Sequence, residues 1–475
     1  MKRANLNLPL CLASASLVLL TACSGLGPEK RVDLKVAPNW QAPLPHAGST
    51  VSLSQWWQAQ GDPVLVALIK AAQEVSPSVS SALYKVEAAR AQQVAANALL
   101  LPSVSAQSSA RRGVALPGAN QATRTDASLL TSWELDLTGA NRQAAAASLG
   151  RVQSNQALWH DARVAVAAEV ANLYYSLQTC KRQTQLALED ARSTKETERI
   201  TELSMRAGFA AATSAATARA AAAQASSRLT SQRAQCDLYV KALVGMTALN
   251  EPELRAKVDS AREFDEKTAS FSIASIPVQA ISQRPDVFSA ERDVVYSAAQ
   301  VGTALAARYP RLSLEGNITS LRLEDQGSGQ DFSLWSFGPL TLNLPLFDGG
   351  QRKAAVKSAE AAYRDSVLAY QGKVRQAVRE VEEALVNLGS IEARRPDLQI
   401  SSDGFGKALT LTQARYQQGL ASLLELEDAR RSALSSQTNL INLKLEQQQA
   451  WVALYRAVGG GFEAPTTVAL NTVKP

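Results

Sequence analysis

The cysteines and histidines limit the chemistry that this chain can perform. There are four cysteines and two histidines in 475 residues, and the histidines, His46 and His160, stand far apart. A histidine-based catalytic triad or metal site needs such residues to converge, and no phosphate loop of the Walker type occurs. We therefore predict no catalytic residue, no metal site and no bound cofactor, which makes an enzyme the weakest functional hypothesis.

The first residues indicate secretion and lipidation. Lys2 and Arg3 precede an apolar stretch that is too short to span a bilayer, which is typical of a secretory signal. Leu20-Thr21-Ala22-Cys23 resembles the bacterial lipobox, which implies cleavage after residue 22 and an N-acyl diglyceride lipid on Cys23. Ser24 follows the cysteine, where aspartate would favour the inner membrane, so we expect an outer-membrane lipoprotein. The alternative is an ordinary signal peptide with a chance cysteine.

Two further cysteines lie in what would be an oxidising compartment. The midpoint between Cys180 and Cys236 is Gly208, where we place the turn of a helical hairpin. Residues equidistant from such a turn lie at equal height on its two arms, and a disulfide needs α-carbons within about 7 Å of each other. We predict a disulfide between Cys180 and Cys236. Two buried free thiols are the alternative.

The chain repeats itself at an offset of about 210 residues, which indicates a duplicated structural unit. The matching anchors, each pair with the earlier segment first, are Ser76–Val79 with Arg284–Val287, Leu101–Ser105 with Tyr309–Ser313, Thr138–Ala144 with Asp348–Ala354, and Ala207–Phe209 with Gln418–Leu420. The predicted organisation is a signal peptide (1–22), an N-terminal lipid-anchored segment (23–75), repeat 1 (76–250), an inter-repeat segment (251–283), repeat 2 (284–460) and a C-terminal tail (461–475).

Each repeat predicts one very long helix. No proline occurs between Gly118 and Glu251, and residues that favour helices dominate this stretch. A helix from Gly139 to Gly208 would be roughly 100 Å long, which exceeds any globular core. The second copy runs from Gly349 to Gly419, and we expect Pro396 to kink or locally end that helix. Each repeat also predicts two shorter helices. One precedes the strand region, at about 77–101 and 285–308, and one follows the glycine turn, at about 212–244 and 422–458.

Strands are predicted between the short and the long helix of each repeat. Apolar and polar residues alternate with the period of a strand that has one apolar face at Leu129, Thr131, Trp133, Leu135 and Leu137. The same alternation occurs in Leu312 to Ile318 and in Leu340 to Leu344. Each repeat therefore predicts two strands of about ten residues or slightly more, long enough to cross an outer membrane when tilted. The residues 113–123 and 324–330 are expected to be hairpin loops.

Four strands cannot close a membrane barrel alone, because known single-chain barrels start at about eight strands and open strand edges cannot face lipid. No later segment has the roughly 18 apolar residues of a membrane helix. The chain is therefore expected to share a barrel with copies of itself. The formal charge of +6 is spread over the whole chain without a long basic run, so nucleic acid is not an expected partner.

Four motifs resemble the TolC family of outer membrane factors, and more narrowly its lipoprotein branch, which serves resistance-nodulation-division (RND) efflux pumps. They are Trp56-Trp57 ahead of Gly61-Asp62-Pro63, Gln283 to Val287, Leu344 to Gly350, and Leu454 to Gly461. The resemblance implies an α+β membrane protein: a homotrimeric 12-stranded outer-membrane β-barrel continued by a long periplasmic α-helical barrel. It also implies a periplasmic adaptor protein, an inner-membrane RND pump and outer-membrane lipid as partners.

The resemblance also assigns roles to residues near the helical turns. Gly208 and Gly419 would lie at periplasmic tips that dock with the adaptor, whereas turn chemistry alone would explain both glycines. Acidic residues beyond the second tip, Glu425 and Asp428, would form carboxylate rings at a pore constriction. The alternative is a solvated helix face, since Glu427 lies between them.

Tyr416 occupies the position of a tyrosine that helps to lock the family's closed state. The matching acidic residue of the first tip is replaced by Ser214, and a basic partner by Ala421. We therefore expect a weaker lock, or a different one.

The leading functional hypothesis is the passive exit duct of a tripartite efflux system for drugs or metal ions. The alternatives are the exit duct of a type I protein-secretion system and a lipid-anchored structural spacer without a pore. The exported compound cannot be deduced from this sequence, because selectivity in such systems lies mainly in the pump.

Overall fold

The described part of the protein is mostly helical, with one four-stranded antiparallel sheet. A computed structural model describes residues 27–28, 41–42, 55–114, 121–260, 281, 284–325 and 328–462. The predicted signal peptide, Cys23, most of the predicted inter-repeat segment and the tail after residue 462 lie outside these ranges. None of the helices within the ranges is at once long enough and apolar enough to cross a membrane.

Both halves of the chain contain the order helix, two strands, long helix and shorter helix. The elements are α1 (Trp56–Ala59), α2 (Pro63–Val75), α3 (Pro77–Ala98), β1 (Ser103–Val114), β2 (Gln121–Leu135), α4 (Ala140–Arg206), α5 (Ala212–Thr247), α6 (Glu251–Asp259), α7 (Pro285–Ala306), β3 (Arg311–Asp325), β4 (Ser328–Asn343), α8 (Gln351–Gln417) and α9 (Leu423–Ala457). The long helices α4 and α8 have 67 residues each.

These elements belong to two compact units. The first contains Tyr84–Gln156 and Ser289–Gly372, and thus the sheet. The second contains the described parts of Lys35–Leu83, Ala157–Phe288 and Lys373–Pro475, and thus both helical turns at Gly208 and Gly419. Each unit takes segments from both halves of the chain.

The long helices begin and end where glycines permit a change of backbone direction. Gly139 and Gly349 have φ values of 74° and 64°, a region that L residues rarely adopt, and each stands just before its helix. Asp348 caps the start of α8, because its carboxylate accepts the N–H groups of Gly350 and Arg352 at 2.9 and 3.1 Å. Pro396 lies inside α8, so the helix does not end there.

The sheet has the strand order β1-β2-β3-β4, with every neighbouring pair antiparallel. Its strands have 12 to 16 residues, and β2, β3 and β4 are longer than the sequence predicts. The ladder continues into residues that were expected in loops, such as Glu324 opposite Gly329, because backbone pairing satisfies the chain there whatever the side chains are. β1 and β4 each keep one edge that no other strand within the described ranges covers.

The apolar core of the second unit contains residues from both halves of the chain. It combines Val164 to Leu177 of α4, the end of α5, Val381 to Ile391 of α8 and the end of α9. Trp56 stacks on Tyr455, with ring centroids 4.8 Å apart. The core therefore fixes the first short helix against the last helix.

The motifs that carry the family resemblance have structural tasks in this core. Asp62 caps α2 through the N–H groups of Val64 and Leu65, and it accepts the hydroxyl of Tyr174 at 2.6 Å. Buried Arg284 binds the carboxylates of Asp286 and Glu380. Such motifs therefore specify the fold more directly than they specify a partner or a ligand.

A carboxylate attaches the N-terminal segment to α8. The N–H groups of Gln41 and Ala42 donate to the two oxygens of Glu382 at 2.6 and 2.8 Å. Ala42 packs into the apolar core. Residues 41 and 42, which precede α1, are thus attached to α8.

Candidate functional site

The two helical turns have the same backbone structure. Gly208 and Gly419 have φ values of 82° and 74°, and nothing lies within 4 Å of a Cβ added at either one. In both turns the N–H of the next residue, Phe209 or Leu420, donates to the carbonyl five residues back at 2.8 Å. This is the Schellman arrangement, which satisfies the last carbonyls of a helix. The backbone conformation, and not lack of space, requires glycine at both tips.

The helices that leave the two turns start differently. Ser422 caps α9, and its hydroxyl accepts the N–H of Glu425 at 3.2 Å, while the N–H of Ser422 donates to the Glu425 carboxylate at 2.6 Å. This reciprocal pair is a capping box. The N–H of Ser422 lowers the pKa of Glu425. The N-cap residue of α5 is Ala211, and no side chain caps this helix.

Glu425 therefore has a structural partner as well as its predicted place in a carboxylate ring. Asp428 lies three residues further along α9, on the same helix face. Its side chain is exposed and pairs with Arg431 at 3.3 Å. Glu427 lies on another face, where it pairs with buried Arg430. Glu425 and Asp428, the two predicted ring residues, therefore lie on a different face of α9 from Glu427.

The tip half of α4 packs through polar side chains. Its buried apolar residues end at Cys180, and beyond that residue the buried positions are Asp190, Thr194, Thr197 and Thr201. The guanidinium of Arg430 on α9 donates to the hydroxyls of Ser193 and Thr197 at 3.0 and 3.2 Å. Near the tips α9 is therefore connected to α4 by hydrogen bonds, and the side chain of Leu426 on α9 is buried there as well.

Tyr416 also contacts α4. Its hydroxyl lies 3.0 Å from the hydroxyl of Thr201. Beside it is a cleft of about 910 Å³, whose lining includes Ser214 and Ala421, the two residues at the positions where the family resemblance implies an acidic and a basic partner. The structure thus gives Tyr416 a neutral hydroxyl partner within its own chain in place of an ionised network.

A disulfide bond joins α4 to α5. The sulfur atoms of Cys180 and Cys236 are 2.07 Å apart, and their α-carbons are 5.6 Å apart. The hydroxyl of Thr184 and the side-chain amide of Gln232 each lie 3.2 Å from one of the sulfurs. The bond lies where the apolar packing of α4 gives way to polar packing.

Some of the residues that organise this site were not identified from the sequence. The capping box has the readable signature Ser422-x-x-Glu425, and Thr194, Thr197 and Thr201 have helical spacing. Arg430 gives no such signal, because its burial depends on helix α4, more than 200 residues earlier in the chain. Within the described ranges no three histidine, cysteine or acidic side chains cluster closely enough to hold a metal ion.

A protein-family model identifies the family to which this chain is related. The sequence model of the family described as outer membrane efflux protein matches residues 68–248 and 276–460. The chain belongs to this family. The match confirms the resemblance stated from the sequence, and the two matched stretches include both tip turns of this outer membrane efflux protein.

Named relatives and a solved structure agree with this assignment. The chain is 29% identical to outer membrane protein OprJ of Pseudomonas aeruginosa, over 96% of this chain and 97% of OprJ. It is also 29% identical to the toluene efflux pump outer membrane protein TtgI of Pseudomonas putida, over 84% and 86% of the two chains. The outer membrane channel CmeC of Campylobacter jejuni has the same fold, with a TM-score of 0.82 at 23% identity over 93% and 96%.

Proposed function

We propose that this protein is the outer-membrane exit duct of a tripartite efflux system, and that it passively conducts small toxic compounds such as drugs or metal ions to the exterior. The observation that carries the proposal is the match to the outer membrane efflux protein family over most of the chain. A relative named for toluene efflux supports toxic small molecules as cargo. The duct supplies the path, while an inner-membrane RND pump supplies the energy.

The sheet has the two faces that a barrel wall in a membrane needs. Leu129, Ile318 and Trp335 lie directly opposite one another on β2, β3 and β4, so they share a face, and all three are exposed in the single chain. On the other face Asn317 pairs with Ser336. The apolar face suits lipid and the polar face suits a water-filled lumen.

Three chains would complete the barrel. The outer edges of β1 and β4 carry backbone groups that no other described strand of the chain pairs with, and unpaired groups are very costly in lipid. Pairing β4 of one chain with β1 of the next covers every edge and gives 12 strands in a homotrimer. The long helices of the tandem repeats 76–250 and 284–460 would continue the wall into the periplasm.

The tips at Gly208 and Gly419 would dock with a periplasmic adaptor protein. The side chains next to the tip glycines are apolar and exposed: Phe209 is 88% exposed and Leu420 is 64% exposed, and Leu424 nearby is 69% exposed. Apolar groups concentrated at an exposed tip favour contact with another protein. The shared backbone turn would let one kind of adaptor hairpin fit both tips.

Glu425 and Asp428 would set the charge of the pore near the tips. In a threefold assembly each forms a ring of carboxylates, which attracts cations and repels anions. The hydrogen bond between Tyr416 and Thr201 would hold α8 near α4 in the closed state. This contact is weaker than the charged lock of the family, because both of its groups are neutral.

We also propose that an N-acyl diglyceride lipid on Cys23 anchors the chain in the outer membrane. Support comes from the lipobox Leu20-Thr21-Ala22-Cys23 and from the family's location. The anchored segment would reach α8 at Glu382, where the structure places Gln41 and Ala42.

Two measurements test the duct. Deletion of the gene should increase susceptibility to several drugs or metal salts, and expression of the wild-type chain should restore resistance. The purified protein should form cation-selective channels in planar bilayers. The double variant Glu425→Gln/Asp428→Asn should lose most of this selectivity, while Asp403→Asn, an exposed acid on α8, should keep it.

An absence of conductance together with unchanged susceptibility would exclude a duct. Conductance that is equally selective in the double variant would exclude the carboxylate rings alone. Co-purification with an ATP-driven exporter in place of an RND antiporter would instead assign the duct to protein secretion.

A further inference from the structure

A cavity of about 320 Å³ lies between the helices α4, α8 and α9. Its volume is within the range of small-molecule sites. α4 contributes Arg182 to the lining, α8 contributes Pro396 and α9 contributes Leu440, and all three residues belong to the second compact unit. Pro396 is separated from the turn at Gly419 by about 35 Å of helix, so the cavity is not part of the site at the tips.

Basic side chains outnumber acidic ones in the lining. Arg182, Arg395 and Lys444 each come from a different helix, and Glu392 is the acidic residue in the described lining. Arg395 donates to Glu392, one turn earlier on the same helix, at 3.0 Å. Like charges that converge repel one another, and an anion between them would be attracted by all three helices. The charge of the cavity therefore favours a negatively charged ligand.

The remainder of the lining suits a ligand with an apolar part. Leu443 is 2% exposed, and Leu440, one turn earlier on α9, is half-buried. Arg182 and Lys444 are half-buried as well, so water and salt screen their charges less than those of fully exposed residues. Basic groups beside an apolar surface match the two ends of an amphiphilic organic anion.

The first hairpin has a covalent bond at the corresponding place. Counted from the glycine of each tip, the counterparts of Cys180 and Cys236 are Ile391 and Gln447. The two cysteines join α4 to α5, whereas Gln447 lines the cavity between α8 and α9. The second hairpin thus has a cavity at the height where the first hairpin is cross-linked.

We infer that this cavity binds a small organic anion, namely a carboxylate or sulfonate that carries an apolar body. The acidic group lies among Arg182, Arg395 and Lys444, where guanidinium groups offer paired donors to its oxygens. The apolar body lies against Leu440 and Leu443. The bound anion joins α4, α8 and α9 without a covalent bond. Binding does not depend on the proposed duct, since a chain without conductance would keep the cavity.

Equilibrium binding of 1-naphthalenesulfonate tests the site. The purified full-length protein is held in nanodiscs of zwitterionic lipid, and the fluorescence of the probe is compared with that in empty nanodiscs. We expect saturable binding at a single site on each chain. Two other compounds should bind at least about 10-fold more weakly: 1-naphthylmethylammonium, which has the same apolar body and the opposite charge, and methanesulfonate, which has the acidic group alone.

Variants of the charged residues connect the binding to the cavity. Arg395→Gln/Lys444→Gln should weaken the binding of the probe by about 10-fold, the effect of two charge contacts at partly exposed positions. Glu392→Gln removes the acidic residue and should tighten binding by about 3-fold. The matched control is Arg394→Gln/Lys407→Gln, which removes two exposed positive charges of α8 outside the lining and should bind the probe as the wild type does.

A lack of saturable binding would overturn the site. Equal binding of the anionic and the cationic naphthalene compounds would also overturn it, because the charge of the cavity would then have no effect. If methanesulfonate bound as tightly as the probe, the proposed class of ligand would be wrong. An equal loss of binding in the control variant would mean that the probe responds to overall charge, which again excludes the site. Conductance and drug susceptibility enter none of these outcomes, so the duct and the anion site are tested separately.

Discussion

Replacement of Arg430 should loosen α9 from α4. The Arg430 side chain is buried, pairs with Glu427 and donates to the hydroxyls of Ser193 and Thr197. In Arg430→Met the apolar stem keeps most of its packing, but the three polar groups lose their partner. Glu427, whose side chain is only 16% exposed, then carries a charge with little access to water.

The size of the effect follows from these contacts. Removing one partner of a buried ion pair costs about 3–5 kcal/mol, and partial exposure of Glu427 places Arg430→Met near the lower end, at about 3 kcal/mol. Glu427→Gln keeps an acceptor for the guanidinium, so it should cost about 1 kcal/mol. The double variant contains no unpaired charge. It should cost about 2 kcal/mol, which gives a coupling energy of about 2 kcal/mol between the two residues.

Hydrogen–deuterium exchange of α9 amides between residues 426 and 436 measures this local stability. A loss of about 3 kcal/mol corresponds to roughly 150-fold faster exchange, since 1.36 kcal/mol is one factor of ten. The exchange of α2, which lies far away in sequence, provides an internal reference. The reasoning fails if the single effects add within about 0.5 kcal/mol, because additivity would mean that the charges do not interact.

Three further predictions concern other contacts. Cys180→Ala/Cys236→Ala should lower the melting temperature by about 4 °C, because a cross-link over a separation of 56 residues is worth about 4 kcal/mol and the melting entropy of a chain this long is about 1 kcal/mol per degree. A reductant should lower the melting temperature of the wild type by the same amount and leave that of the variant unchanged. Identical melting temperatures in all samples would contradict this prediction. The pKa of Glu425 is lowered in the folded protein, so its contribution to the cap is complete above the ordinary carboxyl pKa and is lost as the pH falls through the lowered value. The protection of amides 423–426 against hydrogen exchange, corrected for intrinsic exchange, should therefore drop in acid in the wild type. Glu425→Gln should show no such step. Gly460→Ala should destabilise the core by about 2–4 kcal/mol, because the new Cβ would lie 2.4 Å from a Val164 methyl carbon and residue 460 has a φ of 59°. The thermal midpoint should recover partly in Gly460→Ala/Val164→Ala. An unchanged thermal midpoint in the single variant would refute the clash.

The sequence was sufficient to locate the long helices. Glycines at both ends and the absence of proline in α4 mark limits that differ from the structure by only a residue or two. Helix propensity and glycine turns act locally, so they can be read without tertiary information. The strands were found, but their ends were not, because ladder pairing extends them into residues such as Glu324 and Asp325 that have low strand preference.

Side-chain roles near the tips were harder to predict. Glu425 was assigned to a carboxylate ring, and the local capping signature that it shares with Ser422 was overlooked. The burial of Arg430 and the hydrogen bond from Gln41 to Glu382 depend on which helix faces become neighbours. The residues in these contacts are 233 and 341 positions apart, and their own sequence carries no sign of the contact. Long-range burial of a charged residue is therefore the kind of contact that required the structure.

The uncovered edges of β1 and β4 have a genetic consequence. If three chains must share one barrel, a chain with a damaged edge strand will still bind its neighbours through its other edge. In a cell that makes equal amounts of normal and damaged chains, only about one assembly in eight would contain normal chains alone. Alleles that alter these edge strands should therefore act dominantly, whereas alleles that prevent the chain from reaching the membrane should be recessive.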